Sequence, residues 1–369
     1  MCDGKNGFEK TKHRYPYEWT LKDANFTKDK GTVFSCFACG GGSSFGYKLA
    51  GFDVLGCNEI DPKMAEAYKI NHNPKYCFIE PIQTFKLRKD LPKELYNLDI
   101  LDGSPPCSSF SMAGNREKDW GKEKKFREGQ AEQVLDNLFF DFIDLAKELQ
   151  PKVVVAENVK GLIQGSAIEY VRKIYREFDL AGYYCQHWLL DASKMGVPQR
   201  RERVFFICMR KDLAGPHLEQ MDLFTIAPKL KIEFNEEPIL YEEIEDVNAK
   251  EEHVFPILQK LLPLAKEGQI LSEVHEKGHM FNYNKADRKK VLPTITAHIN
   301  GGGTYHYEVI RPLTDLENCK AGSYPLDYNF CTNKTKYLVG MSVPPVMTAQ
   351  IATEIYTQWL CKSQKRGDF

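Results

Sequence analysis

Several features that would settle the class of this protein at once are missing from its sequence. No apolar run approaches the length needed to span a bilayer, so membrane-spanning helices are not expected. Charge of neither sign dominates: 50 Lys and Arg face 51 Asp and Glu, for a net charge of −1. Nothing global therefore announces a nucleic-acid partner, and any such contact falls to local basic patches. There is no G-x-G-x-x-G and no P-loop Lys-Ser/Thr, which argues against a dinucleotide or a nucleoside triphosphate as guest. Cys36 and Cys39 have C-x-x-C spacing, but no second pair completes a zinc site, and no metal is expected. The other cysteines, among eleven in all, are scattered, several in apolar runs (Cys57, Cys185, Cys208), and read as buried reduced thiols. Met1–Lys5 has no apolar core after its charges, so a signal peptide is not expected and the cytoplasm is the expected compartment.

What is present suits a soluble α/β protein. With 369 residues, 42% of them hydrophobic and 27% charged, the chain can fill two domains. Residues 1–31 are polar, with Tyr15, Tyr17 and Trp19 as aromatics, and read as an N-terminal extension. Residues 32–37 read as a strand, followed by Gly40, Gly41 and Gly42, a short helical pattern closed by Gly51, and a second strand over 52–58 that ends at Glu59. Strand, Gly-rich turn, helix, strand and acid open a Rossmann-type unit, with the acid placed to hold a ribose. Without a phosphate signature, a nucleoside ligand such as S-adenosylmethionine fits this turn better, its carboxylate taken by exposed N–H groups.

Further along, Asp61-Pro62 starts a helix, and residues 76–79 form a strand ending at Glu80. Residues 97–102 are another strand, halted by Gly103-Ser104-Pro105-Pro106-Cys107-Ser108-Ser109-Phe110. A cysteine is thus held on a stiff turn just past a strand end, where open α/β sheets place their chemistry. Taken alone, it reads more readily as a free cysteine in a loop. Residues 112–130 are polar and basic, with Lys118, Lys122, Lys124, Lys125 and Arg127. They suit a loop that closes over a polyanion. Helical spacing runs from Val134 to Leu149. Residues 153–156 read as a buried parallel strand that ends in Glu157-Asn158-Val159. Ser166 and Glu169 form a capping-box pattern for a helix reaching Phe178. Residues 183–190 and 204–208 are strands, with Gln199-Arg200-Arg201-Glu202-Arg203 between them.

The alternation of strand and helix stops near residue 209. An acidic stretch, a short helix near 257–266 and loops rich in Gly, Asn and Tyr follow, and a helix is expected from Val346 to about Leu360. The expected fold class is α/β: a doubly wound, mostly parallel Rossmann-like sheet with a second, smaller domain. The expected divisions are 1–31 as extension, 32–209 as the catalytic and cofactor-binding domain, 210–330 as the smaller domain and 331–369 as a segment returning to the large one. A cysteine, a glutamate and paired arginines at strand ends of one sheet converge on one crevice, as nucleophile, acid and anion clamp.

At this point the motifs, in order, resemble those of DNA cytosine-5 methyltransferases over most of the chain. Phe37-Ala38-Cys39-Gly40-Gly41-Gly42 resembles the cofactor turn, and Glu59-Ile60-Asp61 the ribose-and-adenine segment. Pro106-Cys107 resembles the nucleophile dipeptide, Glu157-Asn158-Val159 the catalytic glutamate motif, and Gln199 to Arg203 the Gln-x-Arg-x-Arg motif. Arg311-Pro312-Leu313-Thr314 with Glu317 resembles the segment bracing the target-recognition domain, here 210–330. Gly340-Met341-Ser342-Val343-Pro344-Pro345 resembles the last motif. The chain departs from the family at Ser108 (usually Gln), Cys39 (Gly), Glu80 (Asp), Leu316 (Arg) and Met341 (Asn).

The resemblance implies methyl transfer from S-adenosylmethionine to C5 of a flipped-out cytosine in duplex DNA, leaving S-adenosylhomocysteine. Cys107, Glu157, Arg201 and Arg203 are the implied catalytic residues. Phe37, Ala38, Gly40, Gly41, Gly42, Glu59, Ile60, Glu80, Pro105, Ser342 and Val343 are implied around the cofactor. Ser109, Lys122, Lys124, Lys125, Arg127 and Gln199 are implied at the nucleic acid. Methylation of tRNA or other RNA by the same chemistry, and a non-catalytic DNA-binding relative, are the alternatives. An amino-methyltransferase of DNA would want Asn/Asp-Pro-Pro-aromatic, which is absent. The expected state is a monomer of prokaryotic or phage type, with room for a cognate restriction endonuclease as partner and none for a membrane.

Overall fold

The computed structural model describes residues 12–106, 123–124, 133–134, 137–221, 226–297 and 302–361. Of the expected site residues, Cys107, Ser109, Lys122, Lys125 and Arg127 lie outside the described residues, as does the side chain of Lys124. So does most of the 112–130 segment expected to close over a polyanion.

Seven strands form the central sheet: β1 Thr32–Cys36, β2 Asp53–Asn58, β3 Tyr76–Phe78, β4 Ile100–Gly103, β5 Val153–Val159, β6 Tyr183–Asp191 and β7 Glu202–Arg210, in the order β3-β2-β1-β4-β5-β7-β6. All neighbours run parallel except β7, which is antiparallel to both β5 and β6. The parallel strands are apolar at nearly every position because both faces are covered. Alternation sorts them: Val33, Val54, Ile100, Val153 and Val155 enter the core on one face, and Phe34, Leu55, Leu101, Val154 and Ala156 enter the core on the other.

Helices α1 Gly42–Leu49, α2 Pro62–His72, α3 Leu138–Leu149 and α4 Ile168–Leu180 flank the sheet. Asp61 caps α2 by accepting the Lys63 N–H, with Pro62 in the first turn. Helix α1 begins three residues before the expected apolar pattern, at Gly42. Its glycines are needed for close approach: a Cβ at Gly46 would stand 2.4 Å from the Pro345 carbonyl oxygen and from Thr348. The capping box expected at Ser166 and Glu169 is replaced. Ala167 occupies the cap position with no side-chain bond, and Glu169 pairs with Arg172 instead.

Beyond β7 come α5 Pro256–Leu261, α6 Asp315–Ala321, α7 Thr335–Met341 and α8 Pro345–Ile355, the last continued by a π-turn over Tyr356–Leu360. Helix α7 carries no apolar pattern that announced it. No described helix is long and apolar enough to cross a membrane.

The smaller core is narrower than residues 210–330. Val254, Leu258, Leu261, Leu262, Ala265, Leu271 and Tyr305 form a cluster of their own. Leu230, Ile239, Tyr241, Leu313 and Tyr324 instead pack in the same core as the sheet. The 1–31 extension is likewise anchored from within. Tyr15 and Trp19 are buried, Trp19 donates to the Ser323 carbonyl (2.9 Å), and its own carbonyl accepts the Leu326 N–H (2.8 Å).

One buried ion pair joins these parts. Arg311 donates to both oxygens of Glu317 at 2.7 and 2.9 Å, with the two side chains 1% and 0% exposed. The carboxylate also accepts Tyr241 Oη (2.9 Å) and the N–H groups of Asp246 (3.0 Å) and Thr314 (2.8 Å). Burial opposes its charge, but these donors outweigh burial and hold the carboxyl below its ordinary 4.5. Glu317→Gln should therefore cost about 3 kcal/mol of stability by urea unfolding at neutral pH. A carboxyl with a depressed folded pKa stabilises above its unfolded value. The gap between wild type and variant should thus hold at neutral pH and close as pH falls below 4.5.

Candidate active site

Strands β1 and β4 are neighbours, in register from Val33–Ile100 to Cys36–Gly103. Both hand the chain to turns at the same edge of the sheet. After β1 the backbone turns sharply, with left-handed φ at Phe37 (53°), Cys39 (50°) and Gly41 (88°). Such φ is costly for residues with a Cβ and collects at functional turns. At Gly41 glycine is obligatory, since a Cβ would stand 2.0 Å from the His72 ring.

This turn walls an open cleft at the carboxyl ends of β1, β2 and β4. Glu59, at the end of β2, is buried on its wall. Its two oxygens accept the N–H groups of Cys39 (2.7 Å) and Asp61 (2.8 Å), so it ties the turn to the start of α2. Burial raises its carboxyl pKa, and the backbone donors pull against that rise. Phe37, Ile60, Pro81 and Ile82 give the cleft an apolar side, and Ser104 and Pro106 bring the second turn to its rim.

Of the expected cofactor residues, Phe37, Glu59, Ile60 and Glu80 line the cleft. The Glu80 carboxylate is held by Arg88 at 2.8 Å. Ala38, Gly40, Gly41 and Gly42 form the turn behind the wall. A Cβ at Gly42 would stand 2.4 Å from the Val343 carbonyl oxygen, so Ser342 and Val343 pack directly against the turn. Met341, a departure from the family pattern, lines the cleft with Tyr337.

A second group of residues stands on β5 and β7. Arg203 Nε donates to Glu157 Oε1 at 2.9 Å, with side chains 16% and 12% exposed. The next residue on β5, Asn158, donates Nδ2 to the Pro105 carbonyl at 3.0 Å. It thereby fixes the turn two residues before Cys107, a role that only the structure shows.

Two expected site residues serve as braces. Gln199 is buried, donates to the Ala321 carbonyl (2.9 Å) and accepts the Ile295 N–H (2.8 Å). Both ends of its amide are used within the chain. Arg201 is 3% exposed and donates to the carbonyls of Ile295 (3.2 Å) and Gly340 (3.0 Å). Burial first, and Arg203 next, pull its pKa down to about 9. It straps β7 to the segment leaving the smaller core and to the end of α7.

Among the described residues, the cleft wall offers no cationic cradle for a phosphate chain. A nucleoside carrying an amino-acid tail fits: an acid for ribose hydroxyls, an apolar slot for a base, and a turn rich in backbone N–H groups for a carboxylate.

A family model described as C-5 cytosine-specific DNA methylase matches residues 31–357. The chain is 36% identical over 181 residues to Type II methyltransferase M.FnuDI of Fusobacterium nucleatum, spanning 49% of this chain and 47% of that protein. It is 28% identical to Type II methyltransferase M1.HphI of Haemophilus parahaemolyticus, over 88% of this chain and 86% of that one. Among solved structures, a prophage-encoded E. coli protein described as a DNA modification methyltransferase shares the fold, with a TM-score of 0.65 at 20% identity over 89% of this chain and 99% of that one.

Removing the Arg201 strap should weaken the fold. Arg201→Met leaves two buried carbonyls without their donor, and unfolding in urea should show a loss of about 2 kcal/mol.

Proposed function

The chain belongs to the C-5 cytosine-specific DNA methylase family, and from that membership we propose how its residues divide the work of methylating DNA. It is an S-adenosylmethionine-dependent DNA methyltransferase acting at C5 of cytosine. The observation that carries the assignment of roles is the Glu157–Arg203 pair, one strand away from the turn that bears Cys107 and tied to that turn by Asn158.

Cytosine C5 is too poor a nucleophile to take a methyl group unaided. Cys107 would add its thiolate to C6, and the electron pair of the C5–C6 double bond would pass into the ring toward N3 and O2. Glu157 would hydrogen-bond the exocyclic amine and N3, and Arg203 would meet O2, so that developing charge is held where it forms. Their mutual ion pair keeps both side chains ordered until the base arrives. Glu59 and the 37–42 turn would hold S-adenosylmethionine in the cleft, where its sulfonium would supply an electrophilic methyl group. C5 takes that methyl, and S-adenosylhomocysteine is left. Loss of the C5 proton and departure of the Cys107 thiolate then restore the aromatic ring, now methylated.

The target carbon is shielded inside a duplex, so the nucleotide must swing out of the stack. Lys122, Lys124, Lys125 and Arg127 are proposed, from the sequence, as phosphate contacts around it, with Ser109 beside the nucleotide. The smaller unit would read the flanking bases. The two bacterial relatives above are named Type II methyltransferases, which supports a role opposite a restriction endonuclease of the same target sequence. A monomer in a bacterial or phage-infected cytoplasm suits that role.

Duplex DNA carrying 5-fluorocytosine tests the chemistry, because fluorine at C5 blocks the final proton loss and strands the covalent adduct. Wild type with S-adenosylmethionine should form an adduct stable to denaturing electrophoresis, and Cys107→Ser none. Equal capture by the serine variant would remove Cys107 from the mechanism.

A further inference from the structure

One buried acid takes no part in the chemistry above. Asp102 is the third residue of β4, 4% exposed, and it stands five residues before Cys107. Its neighbours on the strand, Ile100 and Leu101, are fully buried and apolar. A carboxylate there carries a heavy desolvation cost unless it is fully bonded.

It is fully bonded, and the identity of its donors is informative. Ser35 Oγ, its register partner on β1, donates to Oδ2 at 2.7 Å. Ser43 Oγ donates to the same oxygen at 2.8 Å, and Tyr47 Oη donates to Oδ1 at 3.1 Å. Ser43 and Tyr47 are four residues apart, on one face of α1. That helix begins where the cofactor turn ends. One carboxylate therefore gathers the strand before the cofactor turn, the helix after it and the strand that leads to the nucleophile. Burial raises its pKa to about 6, with the three hydroxyls pulling against the rise, so near neutral pH it remains an acceptor for all three. An apolar residue would fill the same space at less cost, which points to positioning rather than to stability.

We propose that Asp102 is a positioning residue for methyl transfer, fixing the cofactor turn against β4 so that the bound cofactor and the Cys107 turn are held at a set distance. The proposal rests on the functional reading above and adds the residue that couples its two halves. Asp102 touches neither cofactor nor base in this role; it acts through Ser43 and Tyr47 on one side and through Gly103 on the other. Gly103 packs closely against Phe142: a Cβ there would stand 2.5 Å from the ring. Small displacements between reacting groups are expensive in rate, so the link should appear in the chemical step as well as in binding.

The test uses the full chain and two readouts: equilibrium binding of S-adenosylmethionine without DNA, and single-turnover methylation of duplex DNA at saturating cofactor. Asp102→Asn should weaken cofactor binding roughly tenfold and slow the saturated step by a similar factor. Ser43→Ala and Tyr47→Phe should shift both in the same direction by less. Either one combined with Asp102→Asn should show less than the product of the separate effects, because the same link is already cut. A residue that merely stabilised the fold would lower the melting temperature and leave affinity and saturated rate per folded molecule within about twofold. That result would overturn the proposal, and so would strict multiplicativity of the double variants. If Asp102→Asn fails to fold, Ser43→Ala and Tyr47→Phe decide the matter, and unchanged affinity and rate in both count against it. A wild-type chain that binds cofactor but methylates no DNA would break the functional reading, while the binding readout would still test the link.

Discussion

Strands β1 and β4 lie side by side at the point where the sheet reverses its winding, and the chain leaves both at the same edge. Helices follow the two strands on opposite faces, which opens a crevice between the two turns. Whatever the turn after β1 holds must face whatever the turn after β4 carries. The acid at the end of β2 and the Glu157–Arg203 pair on β5 and β7 stand at that same edge for one topological reason. The chemistry of the family needs a methyl donor and a nucleophile on either side of one base, and the switch point supplies the two positions.

Holding those positions costs buried charge. Glu59, Glu157, Arg201, Arg203 and Asp102 are all largely or fully buried around the two turns. Each is committed to a partner in another element: Glu59 to two backbone N–H groups, Arg201 to two carbonyls, Asp102 to three hydroxyls, Glu157 to Arg203. Such networks fix geometry when every member is satisfied and fail sharply when one is cut. The Arg311–Glu317 pair does the same at the border of the smaller core. The division of the chain follows from it: residues around 241 and 311–324 belong to the large core, although they sit in sequence beside the small one.

Much of the sheet was legible from sequence because apolar runs of strand length are bounded by Gly, Pro or acid. Glu59 and Glu157 were legible as candidates for the same reason: a lone acid at the end of such a run has few structural uses. Asp102 was not, because it reads as the last residue of a strand and its three donors lie 55 to 67 residues away in sequence. Asn158 was hidden behind the glutamate before it. The polar side chain of Gln199, in a basic stretch, resembles a surface contact, and its partners Ile295 and Ala321 are brought to it only by folding. The smaller unit is built from short, irregular elements around a compact cluster, so periodicity had little to act on there.

The central claim is that this chain places a methyl group on C5 of cytosine in DNA at a defined sequence. Incubating it with S-adenosylmethionine and unmethylated genomic DNA, then mapping 5-methylcytosine at single-base resolution, tests substrate, product and context together. The account predicts 5-methylcytosine confined to one short sequence wherever it occurs, with equal amounts of tRNA left unmethylated. Transfer to tRNA but not to DNA, or methyl groups on an exocyclic amine, would contradict it.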